Sequence, residues 1–283
     1  VGLQLPKRAR RLTGVALIPV LLLLASCSQA QQDEWKRGAM PEAASDRSNV
    51  MIEFWQWTWV AALVVGVLVW GLIFYSVIKF RRRSDDEVPL QTRYNLPMEI
   101  LYTVAPVIVV LVLFDYVVKV QDEVKAAPEP DHIIKVVGQK WSWSFNYYKD
   151  DAIGGQTVNV VGTPADPPTL VLPVDEVVRF DLDSPDVIHS FWVAGFHYKE
   201  DVIPGKTNTF TLTPTRKGDY RGKCAELCGV YHSRMLFNVK IVSADEYDAY
   251  LKTLSQNPDH VGLFEGADYA RTQAGLETQG GAE

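Results

Sequence analysis

Two long apolar runs in the first half of the chain, and a series of short alternating ones in the second, divide it into a part made for lipid and a part made for water. Residues 54–78 contain Gln56 as their only strongly polar member and exceed the roughly 20 apolar residues that cross a bilayer as a helix. Trp55, Trp57 and Trp59 crowd one end, where amphipathic rings suit the interface between lipid and water. Lys79, Arg81, Arg82 and Arg83 close the other, which places that end in the cytoplasm. Residues 96–118 are less uniform, because Glu99 and Asp115 lie within them. Both carboxylates sit near the ends, within reach of headgroup water, so a second crossing is expected. The result is a helical hairpin with its short basic loop inside and both termini outside. A shorter apolar run, 12–25, follows Lys7, Arg8, Arg10 and Arg11 and is broken by Thr13, Gly14 and Pro19. That is the layout of an export signal rather than of a third span, and it independently sends the N-terminus outside.

From about residue 133 to 254 the apolar period shortens. "VVRFDLD" alternates Val178, Phe180 and Leu182 with Arg179, Asp181 and Asp183, and "TFTLTP" and "LFNVKIV" follow the same logic, as strands with one buried face do. "IGGQ", "PGK" and "KGD" punctuate them as turns. The expected fold is a membrane-anchored α + β protein: a transmembrane hairpin, then an antiparallel β-sandwich or barrel with one short closing helix over 245–254. The expected boundaries are a signal sequence at 1–26, a polar linker at 27–50 and the hairpin at 51–125. The β-domain follows at 126–255, opening on the Pro-marked "AAPEPD", and a loose Gly, Gln, Glu and Ala-rich tail ends the chain at 256–283. The sequence carries no internal repeat.

Charge and sulfur sharpen this picture. The formal charge is −6, and removing residues 1–26 deletes four basic and no acidic side chains, which makes it −10. Such an acidic chain disfavours nucleic acid and mildly favours a basic partner. "LASC" resembles a bacterial lipobox, which implies cleavage before Cys27 and a lipid on that cysteine, with membrane lipid as its partner. Of the three cysteines, the other two lie in "KCAELCGVYHSRM" beside a histidine and a methionine. A disulfide between Cys224 and Cys228 would close so small a loop that it stabilises little, and it leaves His232 and Met235 unexplained.

A metal uses every member of the cluster. Thiolates are soft ligands, imidazole suits copper and zinc, and a thioether is not a usual zinc ligand, so Met235 tilts the choice toward copper. One thiolate would fit a single blue copper; two point to sulfurs bridging a pair of coppers, each completed by a histidine and a weaker ligand. Sharing one electron over two metals lets the centre change charge with little ligand movement. His189 in "SPDVIHSF" is the second histidine such a site needs. His132, His197 and His260 lie in contexts that suit ordinary surface or hydrogen-bonded histidines.

The chain resembles subunit II of cytochrome c oxidase over residues 54–254. The resemblance rests on "GQKWSW", "DVIHSF", "KEDVIPGK" and "CAELCGVYHSRM", in that order and at suitable intervals. It implies a cupredoxin-like domain holding the dinuclear copper centre called CuA, with His189, Cys224, Cys228, His232 and Met235 as ligands and Glu226 adding its backbone carbonyl. The Glu226 side chain would bind a magnesium ion at the boundary with subunit I, a hard oxygen ligand for a hard cation. Within "KWSWSFNYY" the resemblance makes Trp141 the residue that receives the electron from cytochrome c, while Trp143 is read as packing.

Cytochrome c is commonly basic, so Asp150, Asp151, Asp183 and Asp186 are candidates for steering it. The chain lacks a Cys-x-x-Cys-His haem-attachment motif, so the donor is a separate protein. Glu99, at the inner end of the second span, matches the mouth of a proton-uptake route into subunit I; Asp115 matches no family role. The implied function is acceptance of single electrons outside a bacterial cell membrane and their transfer to haem in subunit I, where oxygen is reduced and protons are pumped, with subunit III completing the assembly. The rival readings are a copper-free quinol oxidase subunit II, which lacks these cysteines, and a lipid-anchored structural protein with a closed two-Cys, two-His zinc site.

Overall fold

The computed structural model describes residues 28–84, 86–89 and 91–266. The expected signal sequence, the lipidated Cys27 and the end of the expected tail lie outside the described residues. Residues 28–42 belong to a unit of their own. In it Ser28 starts a short helix, α1 (Gln29–Lys36), by a reciprocal cap with Gln31. Two helices long and apolar enough to cross a membrane follow, α2 (Asp46–Lys79) and α3 (Leu96–Val124). Asn95 caps α3, and Pro97 near its start sacrifices no helical hydrogen bond.

Both helices outrun the apolar segments at one end. At 1.5 Å per residue, the 34 residues of α2 are far longer than the roughly 30 Å hydrocarbon core requires. The surplus turns are fastened to the β-domain. Arg47, almost fully buried, donates to the carbonyls of Glu123 at 2.7 Å and Ala126 at 2.8 Å, closing the end of α3. Asp46 pairs with the backbone of Thr213, and Ala44, Ser45 and Ser48 bond to Gly195, Phe196 or Thr215. Residues 43–48, assigned from composition to a polar linker, are instead a buried joint. Their polar groups bond to backbone groups of the sandwich and of the end of α3.

The β-domain is two five-stranded sheets, ordered β3-β2-β1-β5-β8 and β4-β10-β9-β6-β7. Their strands are β1 (His132–Gln139), β2 (Ser142–Asp150), β3 (Gln156–Val161), β4 (Thr169–Pro173), β5 (Val178–Asp183), β6 (His189–Val193), β7 (Tyr198–Val202), β8 (Asn208–Leu212), β9 (Gly218–Cys224) and β10 (Leu236–Val242). The expected antiparallel sandwich is present, with two parallel pairs built into it, β1 with β5 and β10 with β4. Parallel neighbours need long crossovers, and here whole strands of both sheets lie along them. The cupredoxin-like core is aromatic. Trp143, Phe145 and Tyr147 of β2 point inward with no exposed surface, and Phe191 stacks on Phe237 with centroids 4.9 Å apart.

The closing helix is present as α4 (Ala244–Ser255), capped by Ser243 and Glu246 and burying Tyr247, Leu251 and Leu254. Beyond it, residues 257–266 correct the loose-tail expectation. Asn146 exchanges two hydrogen bonds with the backbone of Phe264, and Gly262 donates to Thr157. Asparagine side chains thus replace a missing neighbouring strand along this stretch.

His132 lies between Asp150 and Glu176, 2.7 Å from each, and its ring meets Tyr247 edge-on at 4.7 Å. Burial opposes its charge, but the two carboxylates outweigh burial and raise its pKa above the ordinary 6.5. The proton is therefore held more tightly in the folded state. Its stabilisation is complete below pH 6.5 and is lost as pH rises through the raised value. For Asp150 burial also opposes the charge, yet the His132 and Ala152 bonds lower its pKa, so its contribution disappears as pH falls through that lowered value. Thermal unfolding should be most resistant between these limits. His132→Gln is expected to flatten the alkaline fall, and an unchanged alkaline slope in that variant would refute the assignment.

Candidate metal centre

The sequence places sulfur where two neighbouring strands end. β9 closes on Cys224 and β10 opens one residue after Met235, and Cys224 donates its backbone N–H to Met235 at 3.0 Å. That bond pinches residues 225–234 into a loop carrying Cys228 and His232. β6 lies beside β9 and begins at His189, while Ala225 N–H donates to Ser190 at 3.0 Å. Three elements therefore aim their polar ends at one point.

The resulting cluster is tight and nearly dry. The two Sγ atoms are 3.9 Å apart; His189 Nδ1 is 3.9 Å from Cys224 Sγ and His232 Nδ1 is 3.6 Å from Cys228 Sγ. Met235 Sδ lies 3.7 Å from Cys228 Sγ, and the Glu226 carbonyl accepts from the Cys224 thiol at 3.2 Å. Cys224, Cys228, Met235 and His189 are all buried. Cys224 and Cys228 are free thiols, far beyond the roughly 2.05 Å of a disulfide.

Their separation suits a shared metal, since two thiolates about 2.3 Å from one ion can stand at most about 4.6 Å apart. The donor set also carries its own charge argument. Cys228 donates to Cys224 and, against the cost of burial, holds that thiol well below its ordinary value; the adjacent thiolate and burial push Cys228 far up. A second negative charge on the pair is thus disfavoured unless a cation neutralises it. Six donors converge, two more than the four that close a structural zinc site, and the additional ones are a thioether and a carbonyl. Soft sulfur and imidazole fit copper.

Several side chains that hold this donor set in place were not legible as such. The Asp186 carboxylate, with its side chain 1% exposed, accepts from Lys140 N–H at 2.7 Å and sits 2.8 Å from His189 Nε2. It fixes that ring with Nδ1 turned toward the sulfur, as partners of metal-bound histidines do. Burial opposes its charge, but the His189 bond and two backbone N–H groups lower its pKa. Asp186 and Asp150, expected to steer a donor protein from the surface, are therefore corrected: both side chains are buried and spoken for by histidines. Asp151 is exposed and Asp183 half-buried. The only sequence signal for Asp186 was its position three residues before His189.

Trp141 and Trp143 part company. Strand β2 begins at Ser142, so Trp143 turns into the core, where its Nε1 donates to the Met235 carbonyl at 3.3 Å. Trp141 stays half-buried outside, donating to the Cys228 carbonyl at 3.2 Å, with Tyr231 edge-on at 5.1 Å. Gly229, at φ +124°, lies beneath the indole; a Cβ there would come within 3.1 Å of Trp141 Nε1. The Glu226 side chain is exposed, away from the cluster. Glu99 accepts from Asn95 N–H at 3.1 Å, a capping bond at the start of α3. His132 and His260 bond elsewhere, the latter to the Asn159 carbonyl.

The family description "Cytochrome C oxidase subunit II, periplasmic domain" matches residues 132–242, and its transmembrane-domain counterpart matches residues 33–120. A protein of Streptomyces avermitilis named probable cytochrome c oxidase subunit 2 is 43% identical, with 89% of each chain covered. One of the same name from Streptomyces coelicolor is 41% identical at the same coverage. The crystal structure of the periplasmic domain of subunit II of cytochrome oxidase of Bradyrhizobium japonicum aligns over 46% of this chain and 98% of its own, at 28% identity and a TM-score of 0.41.

Proposed function

This chain belongs to the cytochrome c oxidase subunit II family, and from that premise we propose that it is the electron-accepting subunit of a haem-copper terminal oxidase. It takes single electrons from cytochrome c and hands them to haem in subunit I, where oxygen is reduced to water and protons are pumped. The observation that carries this reading is the pair of buried free thiols 3.9 Å apart, faced by two imidazole nitrogens and a thioether.

Cys224, Cys228, His189, His232, Met235 and the Glu226 carbonyl would together hold the copper pair. When bound, the copper pair supplies one-electron redox chemistry with little rearrangement. The chain's own part is to keep that arrangement rigid. Asp186 locks the His189 tautomer; Trp143 and the Cys224 N–H both grip the Met235 carbonyl and so hold its thioether. Burial excludes water from both sulfurs. Trp141 spans the remaining distance from the surface to the Cys228 carbonyl and is the side chain on which an electron arrives.

The hairpin sets the sandwich against subunit I, with subunit III and membrane lipid as further neighbours. Its basic loop faces the cytoplasm, so the copper domain and both mature termini lie outside. Glu226, exposed within the ligand loop, offers a carboxylate for magnesium at the subunit I boundary. Glu99, at the inner end of α3, is placed to pass protons toward subunit I. The two thiols disfavour a quinol oxidase subunit, and the inward Met235 sulfur disfavours a closed zinc site. Anaerobic rapid mixing of the intact oxidase with ferrocytochrome c tests the reading. The copper absorption is expected to bleach ahead of the haem, and haem reduction with no earlier change at copper would overturn it.

A further inference from the structure

Beyond α4 the chain crosses the outer face of the first sheet and arrives at the loop that fixes His189. It starts at the edge strand β3, where Val261 bridges to Val158 and the Gly262 N–H donates to the Thr157 carbonyl at 2.9 Å. Asn159, also on β3, donates to the Gly262 carbonyl at 2.9 Å. One strand further in, Asn146 of β2 donates to the Phe264 carbonyl at 3.0 Å and accepts from its N–H at 2.7 Å. β1 is next in the sheet, and Gly266 lies against its last residue, Gln139, and against Pro185. A Cβ at Gly266 would come within 3.2 Å of Gln139 Oε1 and 2.8 Å of Pro185 Cγ. Its φ of +111° is likewise one that side chains rarely adopt, so both space and conformation call for glycine.

The positions along this path are not ordinary outward ones. Alternation with the inward Trp143, Phe145 and Tyr147 turns Ser142, Ser144 and Asn146 to the outer face, yet all three are buried, as are Gln139 and Asn159. The end point matters most. Gln139 immediately precedes Lys140, whose N–H donates to Asp186 at 2.7 Å, and Pro185 immediately precedes Asp186 itself, which sits 2.8 Å from His189 Nε2. Gly266 therefore touches the neighbour of each partner in the bond that holds Asp186. Residues 184–188, between β5 and β6, lie outside the strands, so a contact from a third element restrains a loop that no sheet ladder holds.

We propose that residues 261–266 are a positioning brace for the copper centre: seated against Gln139 and Pro185, they keep the bond between Lys140 and Asp186 closed and, through Asp186, fix the His189 ring. The proposal rests on the copper-holding role and deepens it. The brace touches no ligand itself; it acts on the residue that orients one.

The full chain, free of copper, gives the first readout. Gly266→Ala forces a methyl group into a closed contact, so the Lys140 amide, followed by hydrogen exchange, should open about tenfold more often. Loaded with copper, the same variant should lose metal to a chelator about tenfold more readily, the lower end of what disturbing the partner of a metal-bound histidine costs. Asn159→Ala loosens the brace at its other end, on β3, and is the comparison. It should lower the unfolding temperature while leaving Lys140 exchange and copper retention as they were. Exchange at Lys140 that is unchanged in Gly266→Ala, or that rises equally in Asn159→Ala, would show a segment that only stabilises the fold and overturns the proposal. An unaltered chain that takes up no copper overturns the copper-holding role instead, and exchange at Lys140 then still decides whether the brace holds Asp186.

Discussion

Replacing Cys228 by serine is expected to empty the centre of its copper pair and to lower oxidase turnover with ferrocytochrome c at least about a hundredfold. Changing the partner of a metal ligand already costs about 10- to 100-fold in affinity or activity, so removing a ligand sets the upper end of that range as the floor. The geometry explains why this cysteine weighs so heavily. Its sulfur is the one that faces His232 Nδ1, Met235 Sδ and the other thiol, at 3.6, 3.7 and 3.9 Å. A serine hydroxyl is a hard donor that soft copper binds poorly. The fold should survive, because serine is nearly isosteric and the loop neck is closed by the backbone bond between Cys224 and Met235. Retained copper stoichiometry and unaltered turnover, with a normal unfolding transition, would contradict the assignment.

Trp141→Phe is expected to slow reduction by ferrocytochrome c about a hundredfold, the scale of loss that a misplaced reacting group produces, while leaving copper content intact. Phenylalanine keeps an aromatic ring near Tyr231 but cannot donate to the Cys228 carbonyl. The lost bond is worth only about 1 kcal/mol, so stability should barely move. Reduction by a small diffusible reductant should be unchanged, since that route needs no docking. Equal slowing with both reductants, or a changed copper spectrum, would mean that Trp141 acts by shaping the centre instead of carrying the electron. The two variants therefore separate holding the metal from reaching it.

How much of this could be read from residues alone depended on the kind of information each residue carries. The spans were legible because lipid imposes a minimum apolar length, and Trp55 to Trp59 and Arg81 to Arg83 mark their ends. The ligand loop was legible because Cys224, Cys228, His232 and Met235 lie between two strands in a single short segment. Alternation identifies the buried face of a strand but not its neighbours, so the parallel pairs β1 with β5 and β10 with β4 stayed hidden. Charge does not report burial: Asp150 and Asp186 look like surface acids until His132 and His189 are brought against them. Polar composition likewise concealed order at residues 43–48 and 257–266, where serine and asparagine side chains stand in for backbone partners. Trp141 and Trp143 share a period in the sequence, yet the strand starts between them and sends only the second indole inward.

A jointly held pair of coppers is what the whole assignment stands on, and counting the metal while reading its electron tests it most directly. Copper-loaded protein should contain two coppers per chain, be purple, and give an electron paramagnetic resonance spectrum of one unpaired electron spread over two copper nuclei. A single metal ion per chain, whether colourless zinc or one isolated copper, would contradict it.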